Sequence, residues 1–304
     1  MMSQYCILIH YHELGLKRDN KSWFEKIFQT NIKKQIVDLP YKNINTYASR
    51  VFIYGIDKNK WDDYKSKLKN VMGLKNALLM QKVDADINNI TAIAYDIASN
   101  IKFDTFRITT KRQDKGFSLT SHEINQIVGA EIYEKTHKAV SLKNPQLNII
   151  IEIVRGQAFV GYKKIEGYGG LPNGSGETAI SLLSSGIDSP VASFQILKRG
   201  VKLVYVHFHS APATNKESII NCKNIVKKLS NFQNNSILYI YPILKIQQII
   251  MDKIDDKFWV IMFRRIMVKL SCMLAIELKA KALITGENIG QVSSQTLSNI
   301  QAIS

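Results

Sequence analysis

The sequence predicts a multidomain protein in which an α+β region precedes an α/β region. Its 304 residues exceed the length of a typical single domain. A glycine-dense stretch at 167–176 marks a domain joint. After that joint, segments with strand character alternate with helical segments. This alternation is typical of a parallel sheet with crossover helices.

The first block, residues 1–57, predicts a small α+β unit. Residues 5–10 and 50–54 are short apolar runs with strand character. Between them, Ser22 and Glu25 have the spacing of a capping box, so we expect a helix to begin at Ser22. Strands around one amphipathic helix are typical of an α+β unit.

The second block, residues 58–165, also combines helices and strands. Thr120 and Glu123 have capping-box spacing before an apolar-periodic helix. Gly156 and Gln157 separate two apolar runs and predict the turn of a β-hairpin. The predicted elements are helices at 61–71, 88–100 and 120–138 and strands at 77–83, 106–109, 146–155 and 158–164.

A basic cluster in the second block suggests contact with RNA. Lys111, Arg112 and Lys115 lie beside Phe117, and basic groups next to an aromatic ring suit phosphate contact combined with base stacking. A solvated loop has the same composition, so that alternative stays open. The whole chain carries a net charge of +16, which favours nucleic acid as a partner, although biased codon usage also produces lysine-rich sequences.

The third block, residues 166–304, predicts the parallel sheet. A small-residue loop follows its first strand, and we expect the next helix to begin at Pro190, because proline suits the first helical position. Gly200 is expected to end that helix in the left-handed conformation. The predicted strands are 179–184, 202–208, 237–241 and 281–285.

The loop at 184–189, Ser-Ser-Gly-Ile-Asp-Ser, carries the most specific chemical signal. We expect it at the C-terminal edge of a parallel strand and at a helix N-terminus, where free amides and the helix dipole favour an anion. Ser184 and Ser189 add hydroxyl donors, and Gly186 allows the backbone to approach a phosphate closely. The sequence has no Walker pattern, so the loop is better suited to holding pyrophosphate. Asp188 is expected to bridge Mg²⁺ or to brace the loop. An ordinary strand-to-helix turn with Ser and Asp caps is the alternative.

The three cysteines, Cys6, Cys222 and Cys272, are far apart and form no Cys-x-x-Cys pair. We expect reduced thiols in a cytoplasmic protein, with Cys222 and Cys272 packed in the interior of helical regions. The sequence contains no run of about eighteen apolar residues, which argues against a membrane span. Its start does not have the features of a secretory signal.

The same loop makes the chain resemble a known family. Residues 184–189 resemble the Ser-Gly-Gly-x-Asp-Ser loop of N-type (PP-loop) ATP pyrophosphatases, and Pro190-Val191-Ala192 is similar to the tRNA 4-thiouridine synthase branch. Residues 12–17 resemble the opening of that family's ferredoxin-like domain, and 106–111 with the helix after Thr120 resemble its THUMP domain, an RNA-binding module. Further matches in family order are Val-His-Phe-His-Ser at 206–210, Arg-Arg-Ile-Met at 264–267 and Thr-Gly-Glu-Asn-Ile-Gly-Gln-Val-Ser-Ser-Gln-Thr-Leu at 285–297.

The resemblance implies a ferredoxin-like domain at 1–57, a THUMP domain at 58–165 and a PP-loop ATP pyrophosphatase domain at 166–304. It implies that ATP, with Mg²⁺, adenylates the C4 oxygen of uridine 8 in tRNA. Persulfide sulfur from a cysteine desulfurase then displaces AMP to give 4-thiouridine. The oligomeric state is not fixed by the sequence, and a homodimer is left open.

Position within the matching motifs implies which residues contact the nucleotide. Taken singly, His207 is more typical of a half-buried strand, Phe208 of a core and Arg264 of a solvated helix face. Their arrival together at motif spacing favours the nucleotide role. The implied set is Leu182, Leu183, His207, Phe208, Arg264, Gly286 and Gln295, beside Ser184, Gly186, Ser189 and the catalytic candidate Asp188.

Two departures from the family pattern qualify this expectation. Ser185 replaces a glycine, which would weaken pyrophosphate binding if that position needs a positive φ. Members of the family also continue past the equivalent of Ser304 with a strand and helix that carry a phosphate-binding lysine and then an essential cysteine. We therefore expect an incomplete last domain, and weak or no sulfur transfer by this polypeptide alone.

Two other functions are left open by the sequence. One is a tRNA-binding fragment of such an enzyme without effective catalysis, which predicts salt-sensitive tRNA binding without AMP production. The other is a different adenylating N-type ATP pyrophosphatase, such as an amidating ligase. That function predicts AMP formation without tRNA and leaves the THUMP-like block unexplained.

Overall fold

The computed structural model describes residues 4–17, 19–114, 116–287 and 296–303. The chain divides into two compact units. The first consists of residues 1–69 and 74–169, and the second of residues 70–73 and 170–304. The division at residue 169 falls within the glycine-dense stretch of the sequence. The domain limits expected from the sequence stay predictions.

The described part of the first unit contains one mixed sheet of eight strands. Its strands are β1 (Gln4–Tyr11), β2 (Asn43–Tyr47), β3 (Arg50–Tyr54), β4 (Leu74–Asp84), β5 (Thr105–Arg112), β6 (Ala139–Val140), β7 (Leu147–Val154) and β8 (Gln157–Glu166). The order across the sheet is β2-β3-β1-β4-β8-β7-β5-β6. β1 pairs antiparallel with both β3 and β4, whereas β5 runs parallel to β7. The first two sequence blocks therefore share one continuous sheet.

Helices of the first unit bury their apolar stripes. They are α1 (Lys21–Gln35), α2 (Trp61–Leu68), α3 (Ile87–Ser99) and α4 (Ser121–Thr136). Ile124, Val128 and Ile132 recur every four residues along α4 and are fully buried in a core with Phe106 and Ile151 of the sheet. This spacing places them on one face of the helix.

Of the two predicted capping boxes, one is confirmed and one is wrong. The Thr120 hydroxyl accepts from the Glu123 amide at 3.3 Å, and the Glu123 carboxylate accepts from the Thr120 amide at 2.6 Å. By contrast, α1 begins at Lys21 with Asn20 as its cap residue, and no side chain caps it. Ser22 lies inside the helix, and a capping side chain must come from the non-helical residue before the first turn.

The predicted hairpin is confirmed, with its turn one residue earlier than expected. Gln157 pairs with Val154, so Arg155 and Gly156 are the turn residues. Both have positive φ, 49° and 70°, as the tightest hairpin turns require.

The predicted parallel sheet of the second unit is confirmed. Within residues 170–287 and 296–303, its strands are β9 (Thr178–Leu182), β10 (Lys202–His209), β11 (Leu238–Pro242) and β12 (Ala282–Ile284). They pair in parallel in the order β11-β10-β9-β12. The helices are α5 (Asp188–Leu197), α6 (Glu217–Gln233), α7 (Leu244–Lys253), α8 (Trp259–Glu277) and α9 (Leu297–Ile303).

Helices cover both faces of the β9–β10 pair. Ala179 of β9 packs in a core with residues of α5 and α6. Ile180, the next residue, packs in a second core with Leu274 of α8. On the first face, the Ser181 hydroxyl lies 2.8 Å from that of Ser193, which donates to the Ser189 carbonyl at 2.7 Å. Successive strand residues point to opposite faces, so β9 is buried on both.

Two details of this unit differ from expectation. α5 begins at Asp188, so Pro190 is its third residue and not its first. Proline is still tolerated there, because amides of the first turn have no intrahelical acceptor. Cys272 is exposed, whereas Cys222 is buried as predicted. The buried stripe of α8 includes Ser271 and Ala275, and the residue after Ser271 is turned about 100° away from it.

None of the helices within the described residues is long and apolar enough to cross a membrane.

Candidate active site

A cleft of about 400 Å³ lies at the C-terminal edge of the parallel sheet in the second unit. The chain passes from β9 to β10 on one side, and β12 pairs on the other side of β9. This reversal of strand order opens a crevice at the strand ends, the usual ligand position in open α/β sheets. The cleft is lined by the end of β9, the start of α5, the end of β10, one face of α8 and the turn after β12.

The loop between β9 and α5 is closed by its own serines. The Ser189 hydroxyl accepts from the Ser184 amide at 2.9 Å, and the two hydroxyl oxygens lie 3.0 Å apart. The Gly186 amide donates to the Ser184 hydroxyl at 3.3 Å. Ser189 is 5% exposed, so its hydroxyl maintains the shape of the loop. Ser184 is exposed and lines the cleft.

The start of α5 gives the cleft an anion-attracting wall. Amides in the first turn of a helix have no intrahelical partner, and the helix dipole adds partial positive charge there. Asp188 and Ser189, the first two residues of α5, both line the cleft. Asp188 brings one carboxylate to this wall. No group of three or more His, Cys, Asp or Glu side chains in the described residues could hold a metal ion.

The backbone accommodates Ser185 without strain. Ser185 is not among the residues with positive φ, so it does not need the conformational freedom of glycine. Gly186 also lacks a positive φ, and a Cβ built there would meet only the Ser184 hydroxyl at 3.5 Å. Gly186 does not line the cleft.

Gly286 allows the turn after β12 to touch the start of α5. A Cβ at this position would lie 2.4 Å from the Ser189 amide nitrogen and 2.8 Å from the Asp188 carbonyl carbon. Both are backbone atoms, which cannot move aside as a flexible side chain can. The observed width of the cleft therefore requires glycine at position 286, because its side chain is only a hydrogen atom.

The His207 ring, on β10, is 5% exposed and contacts groups on other elements. Its Nδ1 lies 2.9 Å from the Leu183 carbonyl oxygen, and its Nε2 lies 3.4 Å from the Ser218 hydroxyl of α6. Burial lowers the pKa of His207 below its ordinary value, against an opposing effect of the Leu183 bond. The ring is therefore neutral at pH 7.

An ion pair lines the opposite side of the cleft. Arg264 Nη2 of α8 lies 3.2 Å from Glu287 Oε1, and both side chains are 23% exposed. Glu287 was not among the residues predicted from the sequence. The available signal was its position next to Gly286 at the end of a predicted strand.

The structure brings most of the predicted residues together. Gly186 lies in the neighbouring loop, and Gln295 lies outside the described residues. The predicted residues that line the cleft are Leu182, Leu183, Ser184, Asp188, Ser189, His207, Phe208, Arg264 and Gly286.

The candidate RNA-binding residues of the first unit differ in their surroundings. Arg112 Nη1 donates to the carbonyls of Phe117 and Leu119, at 2.6 and 2.8 Å, and so holds the following loop. Lys111 is 55% exposed, and its ammonium lies 3.9 Å from the Glu152 carboxylate. Lys115 lies outside the described residues.

Glu152, beneath Lys111, is a fully buried carboxylate. Arg50 Nε donates to it at 2.6 Å, and His10 Nε2 lies 2.9 Å from its other oxygen. Although burial raises the pKa of this carboxyl group, its hydrogen bonds and ion pairs with His10 and Arg50 bring the pKa below the ordinary value. The anion is therefore paired as buried charges must be.

Comparison with known proteins defines the class. Residues 6–77 match the ThiI ferredoxin-like domain, residues 84–163 match the THUMP domain, and residues 174–304 match the family described as thiamine biosynthesis protein (ThiI). The chain thus combines a ferredoxin-like, a THUMP and a PP-loop domain, as the sequence predicts.

Individual relatives identify the family. The "Probable tRNA sulfurtransferase" of Macrococcus caseolyticus is 33% identical over 98% of this chain and 75% of its own length. That of Clostridium kluyveri is 36% identical over 98% and 77%. A crystal structure of a 4-thiouridine synthetase–RNA complex with bound ATP superposes with a TM-score of 0.86, at 32% identity over 99% of this chain and 78% of that one. The chain belongs to the tRNA sulfurtransferase family.

Proposed function

We propose that the protein uses ATP to activate a uridine of tRNA for replacement of its C4 oxygen by sulfur. The observation that carries the proposal is the cleft at the strand ends, with the amides of α5 on one side and Arg264 on another. The volume of about 400 Å³ is within the range of small-molecule sites. The similar structure that contains ATP and RNA supports the same substrates.

In this proposal the first turn of α5 binds the phosphates that leave as pyrophosphate. Amides and a helix dipole stabilise the charge that develops on the leaving group. Arg264 of α8 neutralises phosphate charge, and its ion pair with Glu287 weakens when the phosphate binds. Asp188 fits Mg²⁺ as a single carboxylate ligand, because Mg²⁺ commonly keeps waters and substrate phosphates as its other ligands.

The finer assignment follows the family pattern. The C4 oxygen of uridine 8 attacks the α-phosphate of ATP, pyrophosphate leaves, and the uridine carries AMP as a leaving group. In the cytoplasm, a persulfide from a cysteine desulfurase then supplies the sulfur: its terminal sulfur bonds to C4 as AMP leaves, and a thiol breaks the remaining S–S bond by forming a disulfide, which frees 4-thiouridine. In this proposal exposed Lys111 contacts tRNA phosphate, whereas Arg112 contributes by holding the loop beside it.

Calorimetric titration with ATP tests the cleft. Arg264→Ala removes a charged group that lines it, and a hydrogen bond to a charged partner contributes about 1.5–3 kcal/mol, so we expect binding to weaken about tenfold to a hundredfold. Arg265→Ala is the matched control, because Arg265 is the exposed neighbour on the same helix and does not line the cleft. Equal losses in the two variants would contradict this site.

Product analysis separates the proposed function from the alternatives. Purified protein with ATP should release pyrophosphate only when tRNA is present, and AMP only when a persulfide donor is added as well. Salt-sensitive tRNA binding without pyrophosphate release indicates a binding module. AMP formation that does not depend on tRNA indicates another adenylating enzyme.

A further inference from the structure

The peptide group between Leu183 and Ser184 marks the entry to the phosphate-binding loop, and both of its polar atoms are held. Its carbonyl oxygen lies 2.9 Å from His207 Nδ1. Its N–H donates to the Ser189 hydroxyl at 2.9 Å. On the other side of Leu183, the amide donates to the Val206 carbonyl at 2.8 Å. The carbonyl and N–H of one peptide lie in one plane, so these contacts fix its orientation.

The partners of His207 determine which ring nitrogen carries the proton. A carbonyl oxygen can only accept, so Nδ1 must be the donor to Leu183. In a neutral ring Nε2 is then an acceptor, and the Ser218 hydroxyl at 3.4 Å is its donor. Ser218 is on α6, so the chain of contacts runs from that helix through β10 to the end of β9.

The surroundings of the ring favour the neutral form. Cys222 of α6 lies 3.3 Å from Nδ1, and burial raises the pKa of its thiol to about 11, so it brings no charge. His209, on the same strand, lowers the pKa of His207. The charged groups that line the same cleft are Asp188 of α5, Arg264 of α8 and Glu287 after β12.

We propose that His207 is a positioning residue and that Ser218 sets its orientation, so that the Ser218–His207–Leu183 chain holds the first peptide of the phosphate-binding loop in place. The inference rests on the proposed function of that loop. Both ring nitrogens are occupied by protein groups, and the side chain therefore acts on the nucleotide through the loop backbone. This assigns a role to Ser218, which does not line the cleft.

Two substitutions separate this role from direct nucleotide contact. In His207→Asn the side-chain amide nitrogen can take the place of Nδ1, whereas in His207→Gln it lies nearer the place of Nε2. We expect ATP to bind His207→Asn within about threefold of wild type, and His207→Gln about tenfold more weakly. Ser218→Ala should fall between them. Equal losses in the Asn and Gln variants would overturn the proposal.

Two measurements without ATP keep this test separate from that of the proposed function. Nitrogen chemical shifts of isotope-labelled histidine should show that His207 in the wild-type protein carries its proton on Nδ1. Hydrogen exchange at the Ser184 amide should be slow in the wild type and in His207→Asn, and at least tenfold faster in His207→Gln. A proton on Nε2, or unchanged exchange in His207→Gln, overturns the inference even if ATP binds. If the shifts and exchange agree but ATP does not bind to the wild type, the proposed function fails and the inferred role of the chain in ATP binding fails with it.

Discussion

Substitution of Gly286 by alanine should both destabilise the second unit and close its cleft. The new Cβ would lie 2.4 Å from the Ser189 amide nitrogen, and an ordinary contact begins at 3.4 Å. Relief requires a displacement of about 1 Å of either the turn after β12 or the start of α5. Overpacking of this kind costs about 1–3 kcal/mol. For a domain of this size, that corresponds to a melting temperature lower by about 3–12 °C.

Thermal unfolding followed by circular dichroism, together with ATP titration, measures both consequences. Gly186→Ala adds the same methyl group to the neighbouring loop, where it meets only a hydroxyl at 3.5 Å. It is the control for stability, and we expect its melting temperature to match the wild type. A Gly286→Ala protein that melts with the wild type and binds ATP equally well would refute the steric reasoning.

Three further predictions concern charge. Glu152→Gln removes the anion that pairs with half-buried Arg50 and His10 and should cost about 3 kcal/mol in urea unfolding, the lower end for a buried pair, because both partners keep other hydrogen bonds. Because the folded pKa of Glu152 is lowered, its stabilisation is present above the unfolded pKa and is lost as pH falls through the folded value, so the variant should show a weaker acid dependence. The pKa of His207 is also lowered, so the stability of the wild type should fall as pH drops below the ordinary value of 6.5. In His207→Asn this fall should be smaller, as measured by the urea concentration at the unfolding midpoint. Lys111→Ala should reduce the slope of log affinity for tRNA against log salt by about 1 at constant melting temperature, whereas Arg112→Ala should lower the melting temperature because its loop contacts are lost.

The sequence predicts most elements of the fold because their signals are local. The buried residues of α4 recur along the sequence, and the Thr120–Glu123 box is complete within four residues. The sequence does not predict β2, because Ile44 is its only buried residue and no apolar alternation results. The strand forms through its hydrogen-bonded pairing with β3. The false box at Ser22 shows that spacing alone does not determine where the backbone becomes helical.

The sequence predicts those residues of the candidate site that come directly after a strand. The C-terminal ends of parallel strands meet at one edge, so the residues after β9, β10 and β12 converge whatever their side chains. Ser218 depends instead on the approach of α6, which no local pattern encodes. Glu287 follows β12 and could have been included by the same rule, but its ion pair with Arg264 depends on the position of α8. Cys272 illustrates the same limit, since an apolar helix does not reveal from its sequence which stripe will face the sheet.

The hydroxyl pair of Ser181 and Ser193 has a consequence for the choice of alignment between β9 and α5. Two alanines would fill similar space but would tolerate a helix that slid along its axis, because apolar contact is non-directional. The Ser193 hydroxyl donates to the Ser189 carbonyl of its own helix, so its oxygen accepts from Ser181 in one alignment, and a slide of α5 leaves the buried Ser181 hydroxyl without that acceptor. This buried polar contact therefore favours one axial position for α5. That position determines where the amides of the first turn lie.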